Sequence, residues 1–274
     1  MADYEYSKFS GVSSFYFHSD RQRGSNVMGK HHYHNLFELY YLIEGSCSYF
    51  IDNKSYEVNA GDLVLIPEGL IHRTVYDGGE HSRLLINFSR HFLPKSVIPL
   101  IPTLTYVYRN ENASAELRSI LERIEKEYKT RDEYSDDILK SYTRLLFLTL
   151  ARNENRADRH GSGSPFIESA VKYIQKNFAS EISLSGVAEM HSVSPEHLSR
   201  RFKKETGFGF SEYVTLIRLQ KAEYMLRESS DVSVSEVAYH CGFNDSNYFS
   251  DRFKREYGMS PLKFRSASKE TSQT

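Results

Sequence analysis

Four side chains in the first third of the sequence have the types and spacing of a ligand set: His32-x-His34, Glu38 and His72. Three imidazoles and a carboxylate suit a divalent transition ion such as Mn, Fe, Ni or Zn. The same groups serve equally well to hydrogen-bond a ligand's hydroxyls, or one another. On a strand, His32 and His34 share one face because side chains alternate with period two, and Glu38 keeps that face if the strand is regular. His31, beside them, is expected to be exposed. A second set with different chemistry lies in the last third. Leu198 and Phe202, four residues apart, must face inward on a helix, which leaves Glu196, His197, Ser199, Arg200 and Lys203 outward. Arginine donates in bidentate fashion to guanine O6 and N7, and glutamate accepts from cytosine N4. Lys203 and Lys204 suit phosphates, which hold register without reading sequence.

The elements that must position the second set occur twice. Between Ser233 and Arg265 a short amphipathic helix (Val234, Val237, Ala238) runs into Cys241-Gly242-Phe243. Asp245 or Ser246 then caps a helix carrying Phe249 and Phe253, and Gly258 ends it. Moving back by 51 positions from Phe249, Phe253, Lys254 and Gly258 gives Leu198, Phe202, Lys203 and Gly207. Ala188 and Ala238 differ by 50, so the first copy has one residue fewer in its turn. Two short helices joined by a tight turn are the plan of a helix-turn-helix, here in series. Ser211 to Arg227 reads as a helix between them, roughly 25 Å long at 1.5 Å per residue. That length would set the two second helices about one DNA turn, roughly 34 Å, apart.

The first set is expected on strands. Phe37–Ile43, Cys47–Ile51, Leu63–Ile66 and Arg83–Phe88 are β-rich runs separated by turn signals such as Asp52-Asn53, Gly61-Asp62 and Gly78-Gly79. Evenly spaced short strands from about Phe9 to Phe92 suggest a barrel or jelly roll. Residues 97–106 read as irregular. Asn112–Tyr128 and Ser135–Arg152 have helical apolar spacing, and the run Leu145–Leu150 asks for more than one buried face. The expected organisation is a β domain over 9–106, helices over 112–152, a Gly/Ser-rich flexible linker over 153–165, an all-α domain over 166–266 and a disordered tail over 267–274.

Composition narrows the class. No run approaches the length of a membrane span, and the opening MADYEYSKFSG lacks the apolar core of a signal peptide. Cys47 and Cys241 fall in different predicted domains, which fits reduced thiols and a cytoplasmic protein. Formal charge is −1, and residues 165–274 hold 15 Lys/Arg against 14 Asp/Glu. Net charge therefore does not mark a nucleic-acid binder. Positive charge is clustered locally, at Arg200, Arg201, Lys203, Lys204 and at Arg252, Lys254, Arg255, which suits either a nucleic-acid contact or solvated helix faces.

The last hundred residues resemble the DNA-binding domain of the AraC/XylS family of bacterial transcription regulators. The likeness rests on Leu184, Ala188, Ser194-Pro195, Leu198, Phe202-Lys203-Lys204, Gly207, Arg218, Ala222, Gly242-Phe243, Tyr248-Phe249, Phe253-Lys254, Gly258, Pro261 and Phe264-Arg265. The resemblance implies base reading by Glu196, Ser199 and Arg200 on the first unit. The corresponding positions of the second are Ser246, Asn247, Ser250 and Asp251, with phosphate contacts from Lys203, Lys204, Arg252 and Lys254. Asp251 departs from the family, where a basic residue is common. His32-x-His34, Glu38 and Gly45, followed by Gly61, Pro67, Gly69 and His72, resemble the two cupin motifs, except that Tyr76 stands where an Asn is expected. The resemblance implies a cupin sensor for a sugar or another small effector, a homodimer paired through the 112–152 helices, and a promoter-bound regulator that touches RNA polymerase and most often activates. A metal-dependent cupin enzyme, or a metal sensor tethered to DNA, is the alternative that the His/Glu set keeps open.

Overall fold

The computed structural model describes residues 15–24, 34, 36–76, 78–109, 114–152, 161, 163–229 and 231–271. They fall into two compact units that divide between Ser162 and Gly163. Among the described residues, no helix is long and apolar enough to cross a membrane.

The first unit is a two-sheet antiparallel barrel with helices on one face. Its strands are β1 (Phe15–Arg23), β2 (Phe37–Glu44), β3 (Ser46–Ile51), β4 (Lys54–Asn59), β5 (Leu63–Ile66), β6 (His72–Val75), β7 (Glu80–Phe88) and β8 (Val107–Tyr108). One sheet runs in the order β1-β7-β2-β5-β8 and the other β4-β3-β6. Strand alternation gives β2 two buried faces. Phe37, Leu39 and Tyr41 join the cluster built with α1 (Ser114–Lys129) and α2 (Ser135–Arg152), whereas Tyr40 and Leu42 join the cluster between the sheets. The register then sets polar residues opposite one another, Glu38 against Asn87 and Asp20 against Arg83.

Four differences from the sequence expectations arise here. The stretch 97–106 is not wholly irregular: Ile98–Thr103 forms a 3-10 helix with proline in its first turn and Pro102 inside it. The barrel ends at Tyr108 rather than 106, because Val107 and Tyr108 pair with Val64 and Leu63. The helices of the 112–152 segment are not a separate connector, since Leu117, Ile120, Leu121, Ile124, Leu139, Leu146, Phe147 and Leu150 share a core with the outer face of the five-stranded sheet. His34 is not on a strand, as β2 begins only at Phe37. Most of the expected linker (153–160 and 162), together with His31 and His32, lies outside the described residues.

The second unit is all-α: α3 (Pro165–Asn177), α4 (Leu184–Met190), α5 (Pro195–Thr206), α6 (Phe210–Glu228), α7 (Val234–His240), α8 (Ser246–Tyr257) and α9 (Pro261–Thr271). The duplication holds in detail, for α5 and α8 are both 12 residues long and both end in a left-handed glycine, Gly207 at φ 77° and Gly258 at φ 73°. The central α6 buries Tyr213, Leu216, Ile217, Leu219, Ala222 and Leu226, which spread around its circumference. The tail expected to be disordered from 267 is helical to Thr271. Phe264 packs its ring on Phe253 and Tyr257, and Ser266 and Ser268 donate to the carbonyls one turn back, so the last helix continues past 266. Residues 272–274 lie outside the described residues.

Candidate functional site

In the barrel, three of the four expected ligands are described, and they converge. Glu38 is the second residue of β2 and points between the sheets, 1% exposed. His34 reaches it from the segment ahead of the strand: its Nδ1 donates to the Leu36 carbonyl at 3.0 Å, which turns Nε2 to within 3.2 Å of Glu38 Oε2. His72, fully buried at the start of β6, repeats the pattern. Its Nδ1 donates to the Leu70 carbonyl at 2.8 Å, and its Nε2 stands 3.7 Å from the same oxygen. A carbonyl can only accept, so each Nδ1 carries a hydrogen and each Nε2 faces the carboxylate. Both rings thus direct Nε2 at one carboxylate oxygen, an arrangement that a bound cation would also satisfy. Burial alone raises the Glu38 carboxyl, but the imidazoles of His72 and His34 outweigh it and hold the group well below the usual carboxylate range.

These residues fit a divalent ion. Ligand atoms from His34, Glu38 and His72 all lie within 4.8 Å of one another. Two of these separations, 3.2 and 3.7 Å, are of the size that metal–ligand bonds of about 2.0–2.2 Å produce. Both imidazoles already have the backbone-carbonyl partner that fixes the ring of a metal-binding histidine.

Sequence reasoning missed the groups that hold Glu38 in place. Tyr49 donates its hydroxyl to Oε1 at 2.7 Å and Asn87 its amide to Oε2 at 3.3 Å. Asn87 was detectable as the lone polar residue between Ile86 and Phe88 in an apolar run. Tyr76, at the position expected to be asparagine, belongs to a second cluster that no sequence motif marks. Its hydroxyl lies 2.9 Å from that of Tyr40 and accepts from Arg83 Nη1 at 3.3 Å. Arg83 Nε in turn donates to Asp20 Oδ1 at 3.0 Å, and Gln22 donates to Oδ2 at 2.7 Å. Burial, only partly opposed by the Arg83 charge, pushes the Tyr76 phenol up to about 12, so it stays neutral. The two clusters meet where the Tyr40 and Tyr49 rings pack edge to face, 5.2 Å apart. The interior is thus a continuous band of hydroxyl, imidazole, amide and ion-pair groups among aromatic planes.

In the helical unit, α5 begins at a Ser194 cap, with Ser194 Oγ accepting from the His197 amide at 3.1 Å. Leu198 and Phe202 are buried as the spacing required, and Glu196, Ser199, Arg200 and Lys203 line one shallow concavity with Leu184 and Pro195. The structure therefore brings three expected base-reading positions and one phosphate position onto one surface. Lys204 is exposed at the end of the helix. Asp245 caps α8 through the amides of Asn247 and Tyr248 at 2.7 and 2.8 Å. Asn247, Asp251 and Lys254 are exposed, Ser246, Ser250 and Arg252 partly so, and Ser250 donates back to the Ser246 carbonyl. In the matching place on α5, Ser199 and Arg200 line the concavity.

Two family models match this layout: an AraC-like ligand binding domain over residues 13–144 and a helix-turn-helix domain over 187–267. The chain belongs to the AraC/XylS family of transcription regulators. It is 25% identical over 245 residues to the HTH-type transcriptional activator RhaS of Escherichia coli O157:H7, a match covering 85% of this chain and 86% of RhaS. The C-terminal domain of AraT, a response regulator from Geobacillus stearothermophilus, is 38% identical over 39% of this chain and 88% of that domain, with a TM-score of 0.37. ToxT from Vibrio cholerae is 17% identical over 92% of this chain and 98% of its own, with a TM-score of 0.38.

Proposed function

We propose that this regulator binds promoter DNA through α5 and α8 and activates transcription in response to a small polyhydroxylated molecule, a sugar or related metabolite, held between the sheets of its barrel. The observation that carries the effector reading is the buried polar band from Glu38 to Asp20, which offers hydroxyl and amide partners beside aromatic faces. Such a lining suits a ligand with many hydroxyls and little charge. RhaS, an activator, supports the sign of regulation. On the DNA side, Glu196, Ser199, Arg200, Ser246, Asn247 and Ser250 contact base edges, and Lys203, Lys204, Arg252 and Lys254 hold phosphates. Leu145 and Leu148, exposed on α2 where Leu139, Leu146, Phe147 and Leu150 are buried, pair two copies into a homodimer. The protein works in the cytoplasm, where RNA polymerase is its partner on the promoter. The effector acts only by differing affinity for the DNA-competent and incompetent states.

The experiment is DNA affinity of the full chain across a panel of neutral and acidic sugars, repeated with Arg83→Ala. One sugar class shifting affinity in the native chain and not in the variant supports the reading. A flat response across the panel contradicts a sugar effector.

The convergence of two imidazole Nε2 atoms on Glu38 Oε2 favours a second reading, a divalent transition metal held by His34, Glu38 and His72, with His32 as a candidate fourth ligand. Bound there, the ion would supply positive charge for a ligand's oxygens, as a metal sensor or a DNA-tethered cupin enzyme requires. Tyr49 and Asn87 orient the carboxylate, and the Leu36 and Leu70 carbonyls orient the rings. Stoichiometric metal in untagged protein, lost in His72→Ala, supports this reading; none after incubation with Mn, Fe, Ni and Zn retires it.

A further inference from the structure

The helix α3 carries none of the residues assigned to DNA, yet it is fastened at both ends. At its start, the Ser164 amide and hydroxyl donate to the two carboxylate oxygens of Glu205 at 2.7 and 2.6 Å. Arg201 pairs with the same carboxylate at 2.6 Å and also donates to Ser164 Oγ. Arg201 and Glu205 belong to α5, the first reading helix, and Phe166 stacks near its His197, with ring centroids 5.9 Å apart. At the other end, Arg218 of the central α6 donates Nε to the Phe178 carbonyl and Nη2 to the Ser180 carbonyl, both at 2.8 Å. These are carbonyls at and just past the end of α3, where the helix supplies no partners of its own and a cation is favoured.

The same point receives the turn of the second unit. Gly242, at φ +81°, lies between α7 and α8, and a Cβ there would come within 2.8 Å of the Phe178 oxygen, 2.9 Å of the Ala179 oxygen and 3.0 Å of Arg218 Nε. The close approach admits no side chain, so the turn that leads into the second reading helix is seated directly on the end of α3. One thirteen-residue helix, roughly 20 Å long, therefore joins the first reading helix to the turn ahead of the second.

We propose that α3 is a strut that fixes the separation of the two reading helices, with Arg218 as the positioning residue that locks its far end. The inference rests on the proposed DNA reading by α5 and α8. It adds that the regulator recognises the spacing between two DNA boxes as well as their sequences. Arg218 acts through the Phe178 and Ser180 carbonyls and touches no base.

The test begins with DNA selected by the full native chain from a random-sequence library, then rebuilt with one, two and five base pairs inserted between the boxes. The readout is the ratio of affinities for native and altered spacing. Loss of folded protein lowers binding to every probe alike and leaves this ratio unchanged, so a merely structural role does not move it. The native chain should lose at least about tenfold on insertion, and Arg218→Ala should cut that penalty to under about threefold while sequence preference within each box persists. Glu205→Gln, which loosens the opposite end, should relax the ratio in the same direction and serves if Arg218→Ala does not fold. A native chain indifferent to spacing, or variants that both keep the native ratio, overturns the strut. A native chain that selects no DNA overturns the DNA reading itself.

Discussion

Arg200 and Lys203 stand three residues apart on one helix, yet the proposed function gives them different work. Arg200→Ala should cost about 1–3 kcal/mol and relax preference at one base position, whereas Lys203→Ala should weaken cognate and scrambled sites alike and lower the salt slope by about one unit. Equal losses on both sites for Arg200→Ala would remove it from the base-reading set. In the barrel, Asp20 offers a stability prediction. Its burial raises the carboxyl, but the hydrogen bond and charge of Arg83 outweigh this and hold it below the ordinary value. A depressed folded value means that the stabilisation is complete above the unfolded value near 3.9 and fades as pH falls through the folded value. Asp20→Asn should therefore lower melting temperature at neutral pH and lose the difference from the native chain at strongly acid pH; a deficit that stays constant with pH would contradict the ion pair. Residue spacing exposed Glu38 and its histidines, and the buried pair Leu198 and Phe202. It did not expose Tyr49, Tyr40, Arg83 or Asp20, because these partners meet only through strand pairing across 7 to 63 residues of sequence.

Local signals placed whole helices well and strands less well. The α2 boundaries, Ser135–Arg152, follow from apolar spacing alone, and the ends of α5 and α8 are marked by Ser194, Asp245 and the two glycines. β1 and β6 carry no clear strand signal, since FYFHSDRQR and HRTV turn polar residues inward to the polar band and so lack the usual apolar-in, polar-out alternation. Gly186 donates its amide to the Ser183 cap at 3.1 Å. It holds the place that Glu236 holds in the second copy, where the amide makes the same bond to a serine cap, so nothing in the structure requires a glycine there. At Gly258 a Cβ would meet no atom within 4 Å, so only the left-handed backbone opposes substitution. Gly258→Ala should cost about 1–2 kcal/mol, read as a melting temperature several degrees lower for the helical unit. An unchanged melting temperature would mean that the helix end readjusts freely.

At the scale of the whole chain, a formal charge of −1 gives no long-range attraction to DNA. In the proposed reading, specific binding comes from local placement of a few basic and polar side chains on two duplicated helices. The division into a β unit and a helical unit was legible because the hydrophobic period changes from two to 3.6 along the chain, while the exact barrel end and the helical tail depended on pairing and packing that no local pattern carries. The central claim is that both duplicated helices engage DNA. Hydroxyl-radical footprinting of the full chain on its selected DNA tests it directly. Two protected patches about one helical turn apart on one face, one weakened by Arg200→Ala and the other by Asn247→Ala, are expected. A single patch, lost with Arg200→Ala and indifferent to Asn247→Ala, would contradict it.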